Sequence, residues 1–197
     1  MVAIQDHYPR FSPAEYLAWE ERQELRYEYV KGEVYAMTGG SVNHGRIGGN
    51  FYYLLRNHLR GTDCLALNSD VKVQIEKFRD YVYPDVSVTC HPVDLQATKS
   101  IANPCVIIEV LSPSTEAYDR GNKFSNLYQN LSSLREYVLV SSEEMAICIY
   151  RQTDRGSWEI VIYRGGETVT LQSIGFTCLI EEVFEGISFD HQNSLEN

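Results

Sequence analysis

Tyr83-Pro84-Asp85-Val86 and, beyond a polar loop, Cys105-Val106-Ile107-Ile108-Glu109-Val110-Leu111-Ser112-Pro113-Ser114-Thr115 decide how this chain is read. The second run is apolar at nearly every position, as expected of a central strand buried on both faces. Its one carboxylate, Glu109, survives burial only if it is paired or bound to a cation. A structural salt bridge is one reading and a metal ligand is the other. In the first run Pro84 removes a ladder donor, so the strand is unpaired or bulged beside Asp85. A turn-forming Pro-Asp is the plainer alternative there. Two acids on adjacent strands supply the hard oxygens that Mg²⁺ prefers, and the helix that follows carries Asp119 and Lys123.

That helix has Phe124, Leu127, Tyr128 and Leu131 as one apolar stripe, which places Tyr128 in the core. Residues 135–140 read as another buried strand, so strand, helix and strand form a βαβ crossover with a parallel pair. Upstream, Ser12-Pro13-Ala14-Glu15 combines an N-cap serine, a proline at the first helical position and the glutamate of a capping box. The helix it starts runs to about Gln23, with Tyr16, Leu17 and Trp19 on its buried side. Residues 27–30 and 33–37 flank Lys31-Gly32 as a hairpin, with Glu33 beside the turn. Ser41 caps a helix to about Arg60, whose Ile47, Phe51, Leu54, Leu55 and Leu59 recur at helical spacing. Gly45, Gly48 and Gly49 each cost that helix about 1 kcal/mol against alanine. Such a cost implies a close approach to its backbone, expected to be that of a sheet.

Residues 64–67, 71–75 and 81–89 read as three strands, and 91–103 as a loop. Four short segments, 145–151, 157–163, 167–171 and 176–180, read as an antiparallel meander extending the sheet. The expected class is α/β (α+β mixed): one domain over 1–197 with its core at about 12–186. It has a mixed central β-sheet flanked by helices and a C-terminal antiparallel extension.

Charge bears on the ligand. Against 17 lysines and arginines stand 27 aspartates and glutamates, a formal net charge of −10. A broad grip on phosphates normally needs a basic domain, so nucleic acid requires a local basic surface or bound metal here. Arg46, Arg56, Arg60, Lys72, Arg120 and Lys123 are the candidates; Asp70 and Lys72 read as a surface pair. The five cysteines lie far apart beside apolar residues, which points to buried reduced thiols. No apolar run approaches the ~20 residues of a membrane span. The first ten residues lack the apolar core of a secretory signal, so the expected location is cytoplasmic.

The order of elements, with Pro-Asp on one strand and an acid on the next, resembles the PD-(D/E)XK nuclease superfamily. Tyr83-Pro84-Asp85-Val86, the Ile108-Glu109-Val110-Leu111-Ser112-Pro113-Ser114-Thr115 run and Asp119-Arg120-x-x-Lys123 are similar to the Uma-type restriction-endonuclease-like family. So are Gly32-Glu33, Gly40-Ser41-x-x-His44 and Leu134-Arg135-Glu136-Tyr137. The resemblance implies a restriction-endonuclease-like core and an endonuclease that hydrolyses phosphodiester bonds in DNA with Mg²⁺ or Mn²⁺. It implies Asp85 and Glu109 as metal ligands, the Val110 carbonyl as a third oxygen and Lys123 as the catalytic cation. Glu33 would be an auxiliary acid and His44 a lesser substrate-contacting candidate. A single-site nuclease that cuts both strands commonly works as a homodimer, so a homodimer is the expected assembly, with no membrane partner.

One departure stands out. The common superfamily pattern places its lysine two residues after the acid, where this chain has Leu111. Lys123 would have to reach the vacated place from the helix, held by Asp119; a solvated Asp-Lys pair is the alternative. The competing function class is a catalytically silent nuclease-fold interaction or nucleic-acid-binding module, which the acidic charge favours.

Overall fold

The computed structural model describes residues 3–4, 10–37, 39–75 and 79–189. In chain order its elements are β1 (Ala3–Ile4), α1 (Pro13–Glu20), β2 (Tyr27–Val30), β3 (Glu33–Met37), α2 (Val42–His58), β4 (Leu65–Asn68), β5 (Lys72–Ile75), β6 (Asp80–Val82), β7 (Val86–Thr89), β8 (Ser100–Ile101) and β9 (Val106–Leu111). A broken helical segment follows, with α3 (Glu116–Tyr118), a π turn (Asp119–Lys123) and α4 (Phe124–Asn126). Then come β10 (Glu136–Ser141), β11 (Ala146–Gln152), β12 (Trp158–Arg164), β13 (Thr168–Leu171), β14 (Phe176–Leu179) and α5 (Ile180–Val183).

The class is α/β, but the strands divide between two six-stranded sheets, ordered β1-β3-β2-β6-β5-β8 and β12-β11-β10-β9-β7-β4. The run at 81–89 expected as one strand is cut at Pro84-Asp85: β6 belongs to the first sheet and β7 to the second. Proline cannot donate to a ladder, and the chain uses the break to cross between sheets. At the C-terminal end β11 and β12 extend the second sheet, whereas β13 and β14 pair only with each other.

Strand β9 is the centre, antiparallel to β7 and parallel to β10. All six of its residues are buried. Side chains alternate between faces along a strand, so Val106, Ile108 and Val110 pack under Ile47, Phe51 and Leu55 of α2. Ile107 and Leu111 pack the opposite face with Leu127, Tyr128 and Tyr137. Glu109 shares that second face, inside an otherwise apolar layer. Ser12 and Glu15 form the capping box of α1, and Ser41 caps α2 through the His44 N–H. A third cluster, built on Tyr16, Tyr27, Tyr29 and Tyr81, seats α1.

Three readings are corrected. The helix after β9 is not regular: Gly121-Asn122, both poor helix formers, fall inside the π turn. Cys64 and Cys90 form a disulfide. The β4–β7 register pairs Leu65 with Thr89, so the next residues out, Cys64 and Cys90, face each other across the strand ends. Cys105, Cys148 and Cys178 are free thiols, as expected. Finally, Lys72 does not pair with Asp70. It is largely covered and lies 2.6 Å from Glu20, which also accepts from the Tyr83 hydroxyl, while Asp70 binds Arg26.

Candidate active site

Lys123 is the hub. Its Nζ lies 2.9 Å from Glu109, 3.3 Å from Glu28 and 3.9 Å from Asp119, with all four side chains almost wholly buried. Lys123 thus stands beside Glu109, and its pair with Asp119 is buried, not solvated. The lysine reaches this place from the π turn, a local insertion that re-aims side chains and recurs at functional sites.

Each acid is fixed by a second contact. Tyr128 donates its hydroxyl to Glu109 Oε1 at 2.5 Å, so this core tyrosine is also a polar partner of the site. The Tyr83 N–H donates to Glu28 Oε1 at 3.0 Å. Three carboxylates thus surround one ammonium. Burial pushes the Glu109 carboxyl up to about 8, while Lys123 pulls it down and Asp119, Asp85 and Glu28 raise it further. Burial also raises Asp119, against the pull of Lys123. Lys123 itself is held well above its ordinary value: burial opposes its charge, and Glu109 and Glu28 more than compensate.

Asp85 sits at the neighbouring edge of β9. Continuing the β7–β9 register one step beyond Val86 and Ile108 places Asp85 opposite Glu109. Its Oδ2 accepts from the Val110 N–H at 2.7 Å. Since the N–H and C=O of one strand residue point the same way, the Val110 carbonyl faces the Asp85 side, past the last β7 pair. His44 Nε2 lies 3.3 Å from Asp85 Oδ2, buried and without a hydrogen bond. Gly48 of α2 passes directly over this point: a Cβ there would lie 3.8 Å from Val110 and 4.0 Å from Asp85.

The predicted residues therefore form two adjoining groups, Glu109 with Lys123 and Asp85 with His44, joined through the backbone of Val110. Glu33 is placed elsewhere on its hairpin, bound to Tyr35 at 2.8 Å and Arg10 at 3.3 Å. The hairpin acid that reaches Lys123 is Glu28. Sequence reading missed it because the alternation of Tyr27-Glu28-Tyr29-Val30 marks it as an outward strand residue, whereas Lys123 and the Tyr83 N–H meet it in a buried place. Among the described residues no three metal-ligating side chains converge. Asp85 Oδ1 and Glu109 Oε2 nonetheless accept no hydrogen bond from them.

A cleft of about 470 Å³ opens onto Asp85 and His44, walled by the glycine-bearing face of α2 and by Arg26 and Asn68. No described helix is long and apolar enough to cross a membrane.

Comparison with known proteins gives matches over most of the chain. Residues 13–181 match the family model Uma2, described as "Putative restriction endonuclease". Two uncharacterized proteins of Synechocystis sp. are similar. One, slr1290, is 47% identical over 182 residues, covering 92% of this chain and 95% of that protein. The other, sll1609, is 30% identical over 147 residues, covering 74% and 82%. A crystal structure from Anabaena variabilis, described as a putative nuclease belonging to DUF820, superposes with a TM-score of 0.67 at 17% identity. It covers 88% of this chain and 97% of its own.

Proposed function

The chain belongs to the Uma2 family, and we propose that it is a metal-dependent endonuclease hydrolysing phosphodiester bonds in DNA. The observation that carries this reading is the buried Lys123 ammonium 2.9 Å from Glu109, one strand residue away from the backbone N–H that orients Asp85. The donor set suits a hard divalent cation. Three carboxylates face one lysine, Asp85 adjoins them across the Val110 backbone, and neither Asp85 Oδ1 nor Glu109 Oε2 accepts a hydrogen bond from a described residue. Mg²⁺ commonly takes only one or two carboxylates, completing its shell with water and substrate phosphate. Asp85, Glu109 and the Val110 carbonyl would hold Mg²⁺, or Mn²⁺ in its place, which activates water at neutral pH and offsets charge building on the phosphate.

The chain's own groups do the remaining work. The Val110 N–H holds Asp85 through Oδ2 and leaves Oδ1 available. Tyr128 and Lys123 fix Glu109 through Oε1 and leave Oε2 available. Glu28 and Asp119 keep Lys123 protonated, so it can donate to a phosphoryl oxygen as negative charge develops there. His44 steadies the far side of Asp85 and borders the cleft. A cut through both strands of a duplex would need two such sites, hence two copies. The test is a plasmid-nicking assay with Mg²⁺, Mn²⁺ or EDTA. Cleavage that needs a divalent ion and vanishes in Asp85→Asn supports the reading; an Asp85→Asn protein that cuts like wild type sinks it.

A further inference from the structure

Two glycines of α2 are not explained by packing. At Gly48 the sheet lies close, but a Cβ at Gly45 or Gly49 would meet no described residue within 4 Å. Both are exposed, and both line the cleft above Asp85. The helix therefore forgoes better helix formers at two positions where no described residue demands it. Positions 45, 49, 52 and 56 are spaced by four, three and four, so they share one face of the helix. That face runs from bare backbone at Gly45 and Gly49 to the Tyr52 ring, which lines the same cleft, and then to Arg56. Arg56 donates to the Tyr52 hydroxyl, and Arg60, just past the helix end, donates to Asn57. Neither arginine forms an ion pair with a described residue. At the other end of the face His44 Nε2 is buried in the cleft wall without a hydrogen bond, 3.3 Å from Asp85.

We propose that this face is the track of an unpaired nucleic-acid strand: the backbone runs over Gly45 and Gly49, one base stacks on Tyr52, and Arg56 and Arg60 take the flanking phosphates. The inference rests on the nuclease reading of the same site and names its substrate class. A smooth wall admits a chain close to helix backbone, an aromatic ring binds any base face, and guanidinium groups follow the phosphates. The cleft's 470 Å³ suits a ligand of about one nucleotide, within the roughly 300–1,000 Å³ of small-ligand pockets. A duplex cannot bring both strands into that space. The track also places a local basic surface on a chain of net charge −10.

Fluorescence anisotropy on the full chain in EDTA tests this, using labelled oligo-dT, oligo-rU and a duplex of equal length. Single strands are expected to bind about tenfold tighter than duplex, and Tyr52→Ala to weaken them by about five- to tenfold, one lost stacking contact. Gly49→Leu should abolish single-strand binding while its melting temperature holds or rises, since leucine is the better helix former. Preference for rU over dT would keep the track and make RNA the substrate. Duplex binding equal to or tighter than single-strand binding, or an unchanged affinity in Gly49→Leu, overturns the proposal. Cleavage separates it from the broader reading. Duplex nicking untouched by Gly49→Leu leaves a nuclease without this track; tight track-dependent binding with no cleavage in any metal leaves the track without a nuclease.

Discussion

Replacing Glu109 with glutamine should make the metal-free protein more stable while disarming it. The carboxyl's ordinary value is 4.5, and burial pushes it to about 8 in the folded chain. A carboxyl raised on folding contributes stability that is fully present below about pH 4.5 and lost as pH climbs to about 8. At 1.36 kcal/mol per unit, the charged form costs on the order of 5 kcal/mol once ionisation is complete and on the order of 3 kcal/mol at pH 7. Glutamine keeps an acceptor for the Tyr128 hydroxyl and never charges. The two proteins should therefore unfold at similar temperatures near pH 4.5, with the variant pulling ahead as pH rises. At 2–4 °C per kcal/mol for a chain of this size, the gap near pH 8 is on the order of 10 °C. Thermal unfolding by circular dichroism in EDTA across that range reads it directly. Added Mg²⁺ should then raise the wild-type midpoint near pH 8 and leave the variant where it was. A variant less stable than wild type near pH 8 would refute the reasoning, because it would mean the Lys123 pair outweighs the cost of burying the charge.

Lys123→Ala should abolish cleavage and cost the fold about 3–5 kcal/mol in EDTA near pH 8, since it strands buried carboxylates without their cation; an active variant removes the lysine's catalytic role. In that background Leu111→Lys should restore part of the activity, because Leu111 lies on the Glu109 face of β9, and an inactive double variant that still binds Mg²⁺ argues against it. Single-strand affinity should fall steeply with salt despite the acidic chain; a flat dependence over a few-fold rise in NaCl would exclude phosphate contacts by Arg56 and Arg60. Reducing the Cys64–Cys90 bond, which closes a 26-residue separation, should lower stability by about 2–4 kcal/mol; dithiothreitol that leaves the melting curve unmoved contradicts this.

Much of the fold was legible because local and long-range signals agree. Ser12 and Ser41 cap helices that also carry apolar faces, and 106–111 is apolar enough to fix a central strand. What escaped is the partition into two sheets. Residues 81–89 read alike on both sides of Pro84, and only pairing with β2 and β5 on one side and β4 and β9 on the other separates β6 from β7. The Cys64–Cys90 bond escaped for the same reason, since it follows from a strand register that spacing alone does not encode.

The site was legible in its parts and not in its assembly. Asp85, Glu109 and Lys123 each stood out: an acid after proline, an acid in an apolar strand, and a lysine just downstream of the strand whose usual lysine position holds Leu111. Glu28 did not, since a glutamate between two tyrosines is an ordinary half-exposed strand pattern, and so it went unread. Its role comes from the crossing at Pro84. By passing from one sheet to the other there, the chain presents the Tyr83 N–H to Glu28 and, two residues later, aims Asp85 at the Val110 N–H. The crossing at one proline thus positions two acids, and the π turn delivers the lysine that Glu28 and Glu109 share.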